Sequence, residues 1–337
     1  MAGEHMHREI LETPAMLRRE AAAWEAQATE LRAAAGGRPQ VALVGRGSSG
    51  NACAFAAYLF GLATGRQPVE FRPWLTTQEL PPCDWSDTVA YAFSVSGQST
   101  DIAASAAWLR ARGAWTVGVT AAEGEDLHLA EATDRLFRLG CGPEVAVPAT
   151  KTFTAQLFAA AALAGLPVQA AAAQAADAMD ALLLGPVPGQ LATFLEGGRL
   201  AAWIARGPSL AAVCDAALKM QESLGRPAVA YSTAEVLHGP IAMFHPEDRV
   251  VLFSGSDEPM DSKRAVAATL LARNVPLLTL GTDSTREAGL PLPLPEARWA
   301  RTPVLAFLSQ LVCLELARRA GLDPDAPAHL QKVTRTL

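Results

Sequence analysis

Short β-rich runs alternate with helix-forming runs along most of the chain, and this alternation restricts its fold more than any other feature. Residues 88–93 (TVAYAF) are apolar and β-rich, residues 102–112 (IAASAAWLRAR) favour a helix, and residues 115–120 (WTVGVT) are β-rich again. Parallel neighbours in a sheet need long crossover connections, which a helix between two strands supplies. The alternation therefore predicts an α/β protein with parallel sheets and helices on both sheet faces.

The pattern restarts in the second half of the chain. The sequence GRGSSGNACAF from Gly45 and the sequence ARGPSLAAVCDAA from Ala205 each follow an apolar strand and open a small-residue helix. The sequences FSVSGQSTD from Phe93 and FSGSDEP from Phe253 match in the same way. These pairs indicate two related α/β domains in tandem, each with its own sheet.

The length of 337 residues also suggests two domains. The stretch GPVPG at residues 185–189 is the predicted linker. We therefore place an N-terminal helix and the first domain at residues 1–188, and the second domain with a C-terminal tail at residues 189–337.

The two chain ends have recognisable patterns. Thr13 is the predicted N-cap of an N-terminal helix, with Pro14 at its first position. The tail at residues 323–337 (DPDAPAHLQKVTRTL) is polar and contains proline, a composition typical of a mobile segment, and Lys332 lies near its end.

The loop SVSGQS joins the strand at residues 88–93 to the following helix. It carries Ser94, Ser96 and Ser99 around Gly97. Ligands of open α/β sheets bind at the carboxyl ends of strands, and the N-terminus of a helix favours anions. The loop is thus a candidate phosphate cradle in the first domain. The alternative is that Ser99 only caps the helix.

The segment GRGSSGN also connects a strand to a helix. Gly45, Gly47 and Gly50 match the GxGxxG pattern of dinucleotide-binding domains, which is a weak signal by itself. No acidic residue follows at the expected distance near the end of a second strand. Ser48 and Ser49 instead add hydroxyl groups, so a sugar phosphate suits the pattern better than a dinucleotide.

A second candidate cluster lies in the second domain. Lys219 and Glu222 share one helix face at i,i+3, which by itself is most often a surface ion pair. His238 is followed by Gly-Pro, which exposes its imidazole on an irregular segment. A loop histidine near a carboxylate and a lysine is a reasonable acid–base set.

Composition excludes several classes of partner. The net charge of −6 leaves no basic stripe for nucleic acid. The five cysteines are scattered without CxxC spacing, which indicates reduced thiols and no metal framework. The first residues lack the apolar core of a signal peptide, and the apolar runs are short of a membrane span. The expected protein is soluble and cytoplasmic.

Taken together, the motifs resemble one known family. GRGSSGN, SVSGQSTD, GPEVAVPATKTFTAQ, ALKMQES, AEVLHGP and the closing KVT occur in the order found in sugar-isomerase (SIS) domain proteins. More narrowly, they resemble the isomerase half of glutamine–fructose-6-phosphate amidotransferase. The resemblance covers almost the whole chain and implies two tandem SIS domains with flavodoxin-like parallel sheets. It also implies a homodimer with a shared active site, a hexose 6-phosphate ligand, and no metal or organic cofactor.

The resemblance also implies binding residues. Ser49, Ser94, Ser96 and Ser99 match positions that bind the sugar or its phosphate. Val147 matches a position whose backbone contacts the sugar. Ser48, which adds a hydroxyl beside Ser49, and Lys219, which shares a helix face with Glu222, complete the candidate binding set.

Three further residues match catalytic positions of the family. Glu222 matches the base that moves a proton between C1 and C2, and His238 matches the ring-opening histidine, which the neighbouring subunit contributes. Lys332 matches the tail lysine that forms a Schiff base with the ketose.

Two departures from the amidotransferase shape the expected activity. The sequence opens MAGEHMH, without a nucleophilic cysteine after Met1 or a glutaminase sequence, and Val95 replaces the glutamine usual between the two serines. The ending KVTRTL and the segment STAEVLHGP resemble SIS-type glucosamine-6-phosphate deaminases. We therefore expect a deaminase that hydrolyses a C–N bond and yields fructose 6-phosphate and ammonia. The alternatives are activity on galactosamine 6-phosphate or fructosamine 6-phosphate, or a non-enzymatic sugar-phosphate regulator.

Overall fold

The structure, a computed structural model, describes residues 2–124, 126–255, 260–281 and 289–332. Within it the chain forms two compact units, each built from separate segments. The N-terminal unit consists of Ala15–Glu144, Lys151–Ala172 and Gln331–Leu337, and the C-terminal unit of Met1–Pro14, Val145–Thr150 and Ala173–Leu330. The domain limits at residues 188 and 189 stay a prediction.

The N-terminal unit is organised around a five-stranded parallel sheet. Its strands are β1 (Gln40–Val44), β2 (Val69–Glu70), β3 (Thr88–Phe93), β4 (Trp115–Thr120) and β5 (Arg135–Arg138). They lie in the order β2-β1-β3-β4-β5, and every pairing is parallel. This 2-1-3-4-5 order is the flavodoxin-like arrangement. Residues of β3 are buried along its whole length, as expected of a strand covered on both faces.

Helices connect and cover this sheet. They are α1 (Glu4–Ala34), α2 (Gly47–Thr64), α3 (Thr100–Arg110), α4 (His128–Ala132), α5 (Lys151–Leu163) and α6 (Gln169–Leu184), of which α1 and α6 extend into the C-terminal unit. The residues of α5 are buried throughout. The ring of Trp24 on α1 stacks on Phe158 of α5 at 6.0 Å between ring centroids.

The start of α1 differs from the prediction. The helix begins at Glu4 and continues through Pro14, whereas the sequence pattern placed its first turn at Pro14. The hydroxyl of Thr13 does not cap the helix but donates to the carbonyl of Glu9 at 3.2 Å. Proline lacks the N–H of an interior helical residue, but the surrounding turns keep the helix continuous.

The C-terminal unit repeats the same topology. Its strands are β6 (Ala201–Ala205), β7 (Ala228–Ser232), β8 (Arg249–Ser254), β9 (Leu277–Gly281) and β10 (Gly289–Pro291). Their order is β7-β6-β8-β9-β10, again parallel throughout. Two sheets with the same strand order confirm the predicted fold class of two tandem α/β domains with flavodoxin-like sheets.

The helices of the C-terminal unit are α7 (Val187–Leu195), α8 (Leu210–Leu224), α9 (Thr233–Leu237), α10 (Met260–Ala272) and α11 (Arg301–Arg319). The predicted linker at residues 185–189 overlaps the first turn of α7. Gly321 follows α11 with a φ of +68°, the left-handed conformation that commonly ends a helix. The compared sequence FSGSDEP and the closing KVT fall partly on residues 256–259 and 333–337, outside the described residues.

Among the described residues, the segment 298–319 is long and apolar enough to cross a membrane by length and composition, and 83% of its most apolar window is buried inside the protein. The bent pair α6 and α7 passes the same test only when counted as one span. The cytoplasmic location stays a prediction.

Candidate functional site

The N-terminal unit has its topological switch point between β1 and β3. These strands are direct neighbours, with Val44 opposite Ala92 near their carboxyl ends. After β1 the chain continues to β2 at one edge of the sheet, and after β3 it continues to β4 in the direction of the opposite edge. The crevice outside such a point is where open α/β sheets bind ligands. The segment GRGSSG, which joins β1 to the first turn of α2, and the loop after β3 (SVSGQS, the serine loop below) therefore lie side by side at this edge.

The serine loop is a tight turn held by its own hydrogen bonds. The hydroxyl of Ser94, which is 3% exposed, donates to the hydroxyl of Ser99 at 3.1 Å. The hydroxyl of Ser96 accepts the N–H of Gln98 at 3.2 Å. Gly97 has a φ of +65°, and a Cβ there would lie 3.2 Å from a methyl group of Leu127. The three hydroxyl groups are thus grouped around a turn that favours glycine.

Ser99 occupies the N-cap position of α3, but its side chain makes no capping hydrogen bond. The capping alternative therefore does not account for this residue. Ser96 and Ser99 are partly exposed. Hydroxyl groups beside the unpaired N–H groups of a helix start can bind phosphate oxygens.

The first turn of α2 supplies Ser48 and Ser49. Ser49 is buried, and its hydroxyl lies 2.9 Å from Nε2 and 3.3 Å from Oε1 of Gln156 on α5. Ser48 is half-buried. The backbone of Gly45 packs closely against that of Ser49. Only glycine fits there, because a Cβ at position 45 would lie 2.6 Å from the carbonyl oxygen of Ser49.

A cation beside these loops was missed by the sequence analysis. Nε of Arg46, the residue before α2, lies 2.7 Å from Oδ2 of Asp101 in the first turn of α3. This ion pair connects the start of α2 to the start of α3. Its only sequence signal is the arginine inside GRGSSG, which does not predict the partner.

Lys332 is held by a buried carboxylate. Its Nζ lies 2.7 Å from Oε2 of Glu144, whose side chain is 1% exposed. The same carboxylate accepts the backbone N–H of Thr152 at 3.1 Å and its hydroxyl at 2.6 Å, at the start of α5. In the described part of the tail, up to Lys332, the lysine therefore has a defined partner, whereas the composition suggested a mobile segment. Glu144 was not singled out from the sequence, although it lies in GPEVAVPATKT.

In the C-terminal unit, α8 carries three charged side chains on one face. Nζ of Lys219 lies 3.1 Å from Oε2 of Glu222 and 3.4 Å from Oδ1 of Asp215. Lys219 and Asp215 are fully buried, whereas the Glu222 side chain is 23% exposed. The alternative of an ordinary surface ion pair is therefore wrong for Lys219. Asp215 was missed, although its i,i+4 spacing to Lys219 was a usable signal.

Buried surroundings also affect a neighbouring thiol. Burial raises the pKa of Cys313 on α11 to about 12, and the negative charges of Asp215 and Glu222 add to the rise, while Lys219 opposes it. A thiol in this position stays protonated at neutral pH.

The remaining candidates of the C-terminal unit lie on other elements. His238 is exposed at the end of α9, and Gly239 follows it with a φ of +141°. Its ring makes no hydrogen bond or ion pair with any residue that the structure describes. Val147 is half-buried in the segment 145–150, where the carboxylate of Glu9 accepts the N–H groups of Val145 and Ala146.

The structure thus groups Ser48, Ser49, the serine loop and Lys332 in the N-terminal unit, and Val147, Lys219, Glu222 and His238 in the C-terminal unit. Within the described parts of the chain, no group of three or more His, Cys, Asp or Glu side chains is arranged to hold a metal ion.

Comparison with known proteins gives a consistent result. A family model described as "SIS domain" matches residues 37–166 and 201–287. The glutamine–fructose-6-phosphate aminotransferase (isomerizing) of Pyrobaculum aerophilum is 29% identical over 348 residues, which cover 97% of this chain and 56% of that protein. The chain thus spans about half the length of the curated relatives it matches.

Two solved structures are similar over nearly their full length. The C-terminal domain of the glucosamine-fructose-6-phosphate aminotransferase from Francisella tularensis has a TM-score of 0.82 at 20% identity, covering 96% of this chain and 98% of that one. The glucosamine-6-phosphate deaminase from Thermotoga maritima has a TM-score of 0.79 at 21% identity, covering 99% and 100%. At these identities the likeness shows the fold alone.

Proposed function

The chain belongs to the SIS-domain family, and we propose that it converts glucosamine 6-phosphate to fructose 6-phosphate and ammonia. The main support is the setting of Glu222, a partly exposed carboxylate with one oxygen 3.1 Å from a fully buried ammonium. A general base must be both accessible to substrate and fixed in orientation. Relatives named for glucosamine and fructose 6-phosphate chemistry support the choice of substrate class.

The first step in this proposal is binding of the phosphate. Ser94, Ser96 and Ser99 donate hydrogen bonds to its oxygens, together with the N–H groups at the start of α3. The same role extends to Ser48 and Ser49 at the start of α2. Val147 contacts the sugar through its backbone. His238, with an exposed imidazole, assists opening of the pyranose ring to the free aldehyde.

The second step is proton transfer between neighbouring carbons. The carboxylate of Glu222 removes the proton from C2 of the open-chain amino aldose, and the electron pair forms the C1–C2 double bond. The carbonyl oxygen on C1 takes up a proton from water, which gives an enol with the amino group still on C2. Glu222 then returns the proton to C1, which leaves an imine at C2 and a hydroxymethyl group at C1. Lys219 holds Oε2 at 3.1 Å, so Oε1 is the oxygen that can carry the proton.

The last step is hydrolysis. Water adds to the C2 imine, the C2–N bond breaks, and ammonia leaves with the proton it needs while C2 becomes the ketone of fructose 6-phosphate. Lys332 has two possible roles: a Schiff base with the ketone, or neutralisation of negative charge as an ammonium. Glu144, 2.7 Å from Nζ, can accept the proton that the first role requires or stabilise the charge that the second requires.

The substrate is tested by ammonia release from a panel of glucosamine 6-phosphate, galactosamine 6-phosphate and fructosamine 6-phosphate. We expect turnover with glucosamine 6-phosphate. Preference for another member of the panel would move the assignment to that sugar. Tight binding of the sugars without ammonia release would favour the regulator instead.

The base is tested by Glu222→Gln. This variant should lower kcat by about 10²- to 10⁴-fold with little change in KM, because only proton transfer is removed. Glu131→Gln, an exposed glutamate on α4, is the matched control and should behave as the wild type. Full activity of Glu222→Gln would refute the mechanism. Borohydride reduction with fructose 6-phosphate, followed by mass analysis of Lys332, separates its two roles.

The resemblance to SIS isomerases further supports a homodimer in which His238 acts on the substrate of the partner subunit. Mixing His238→Ala with Glu222→Gln protein tests this arrangement. Mixed dimers should regain activity if each site draws the two residues from different subunits, and should stay inactive if both come from one chain.

A further inference from the structure

Two aspartates of the C-terminal tail bind the first turn of the N-terminal helix. The backbone N–H of Gly3 donates to Oδ1 of Asp323 at 2.9 Å. The N–H groups of His5 and Met6 donate to the two carboxylate oxygens of Asp325, each at 2.8 Å. The first N–H groups of a helix have no partner within the helix and favour negative charge. Asp325 therefore caps α1 from a distant part of the chain.

Other hydrogen bonds strengthen this contact. Nε of Arg318, near the end of α11, donates to the carbonyl oxygen of Ala2 at 3.2 Å. Within the tail, Oδ1 of Asp323 also accepts the N–H of Asp325 at 3.1 Å, which fixes the turn between the two aspartates. The anchored segment thus has a defined conformation before it reaches Lys332.

Lys332 follows Asp325 by only seven residues, and its ammonium is fixed on Glu144. A segment of this length has its conformational freedom strongly reduced when both ends are held. We propose that Asp325 is a positioning residue, which places the tail and its lysine by anchoring them on the first turn of α1. This inference rests on the proposed function of Lys332. It gives residues 2–6, which hold the anchor, a role in activity.

The kinetic test is a double-mutant cycle. Asp325→Ala should lower kcat on the order of tenfold, because a displaced functional group loses its productive orientation, while KM changes little. In the Lys332→Ala background, the same substitution should cause no further loss, because there is no amine left to position. Asp325→Asn keeps one acceptor oxygen and should lie between Asp325→Ala and the wild type.

A matched control separates positioning from a general loss of a helix cap. Oε1 of Glu25 accepts the N–H groups of Val168 and Gln169 at the start of α6, at 2.5 and 3.1 Å. Glu25→Ala therefore removes a remote carboxylate cap of the same kind, but from a helix that does not hold the tail. Its kinetic effect should be small and the same with or without Lys332.

A second readout does not depend on the substrate. Amide hydrogen exchange of His5, Met6 and the tail residues 326–332 should become faster in Asp325→Ala, whereas Glu25→Ala should leave it unchanged. Unchanged exchange in the tail, or independent kinetic effects of Asp325→Ala and Lys332→Ala, would overturn the inference. Faster tail exchange without ammonia formation from any sugar would leave the anchor standing and refute the proposed function instead.

Discussion

Nζ of Lys332 and Oε2 of Glu144 lie 2.7 Å apart, although 188 residues separate them in sequence. Glu144 serves two purposes at once, since the same carboxylate accepts the N–H and hydroxyl of Thr152 at the start of α5. The tail lysine and a buried helix of the N-terminal unit therefore depend on one acidic side chain.

Glu144→Gln is expected to separate these purposes. Glutamine keeps an oxygen for the N–H of Thr152 but loses the charge that fixes the ammonium of Lys332. A hydrogen bond to a charged group contributes about 1.5–3 kcal/mol, so a fall in kcat of about tenfold or more is expected. Ammonia release measures the fall, and urea unfolding measures stability. Wild-type turnover in Glu144→Gln would show that the ion pair has no part in activity.

Ser99→Ala is expected to weaken sugar-phosphate binding and to destabilise the fold only modestly. Its hydroxyl does not cap α3 but accepts the hydroxyl of the buried Ser94 at 3.1 Å, so loss of this hydrogen bond should lower the free energy of unfolding by about 1 kcal/mol. Loss of one hydrogen bond to a phosphate should weaken binding by about 10- to 100-fold. Calorimetric titration with fructose 6-phosphate measures the affinity.

The control for Ser99 is Ser86→Ala, which removes an exposed hydroxyl bonded to Asp84 at 2.9 Å. It should bind the sugar phosphate normally. Normal binding of the sugar phosphate by Ser99→Ala would show that this hydroxyl serves only to hold Ser94 within the serine loop.

Lys219→Met is expected to destabilise the C-terminal unit strongly. It leaves the fully buried carboxylate of Asp215 without its cation, a change that typically costs about 3–5 kcal/mol. The double variant Lys219→Met/Asp215→Leu removes both charges and should recover much of that loss in urea unfolding. Activity should stay low in both variants, because Glu222 has lost its anchor. Recovery of activity along with stability would contradict that role for Lys219.

The cysteines predict a defined thiol reactivity. Burial raises the pKa of Cys214 to about 11 and that of Cys141 and Cys313 to about 12, and it also raises the pKa of Cys53. Cys83 is exposed. At pH 8, a disulfide reagent should titrate one thiol quickly in the native protein and all five after unfolding. Cys83→Ser should abolish the fast phase; a remaining fast thiol would show that one of the other four cysteines reacts in the folded protein.

The same shifts make stability depend on pH. Unfolded thiols release protons near pH 9.0, while Cys214 in the folded protein holds its proton up to about pH 11. The unfolded state therefore binds fewer protons in this range, and the free energy of unfolding should fall as pH rises from about 9 to 11. Urea unfolding across this range measures the slope, which should decrease in Cys214→Ala.

Local sequence patterns were enough to predict the alternation of strands and helices and the edge of the first sheet that carries the serine loop. Periodicity and turn residues act over a few positions, and the carboxyl end of a parallel strand is fixed once the strand is assigned. Thus β3 and β4 have the predicted bounds, and Ser94, Ser96 and Ser99 lie at the predicted edge.

Which side chains became buried, and which distant groups they met, depended on how the elements packed together. The spacing of residues along a helix does not reveal which other elements pack on each face. The spacing of Asp215, Lys219 and Glu222 therefore indicates possible ion pairs but not that Lys219 and Asp215 are buried. The start of α1 was misplaced for a related reason. The carboxylate that caps it belongs to Asp325, 320 residues from His5, and no local pattern can supply a partner that only folding brings near.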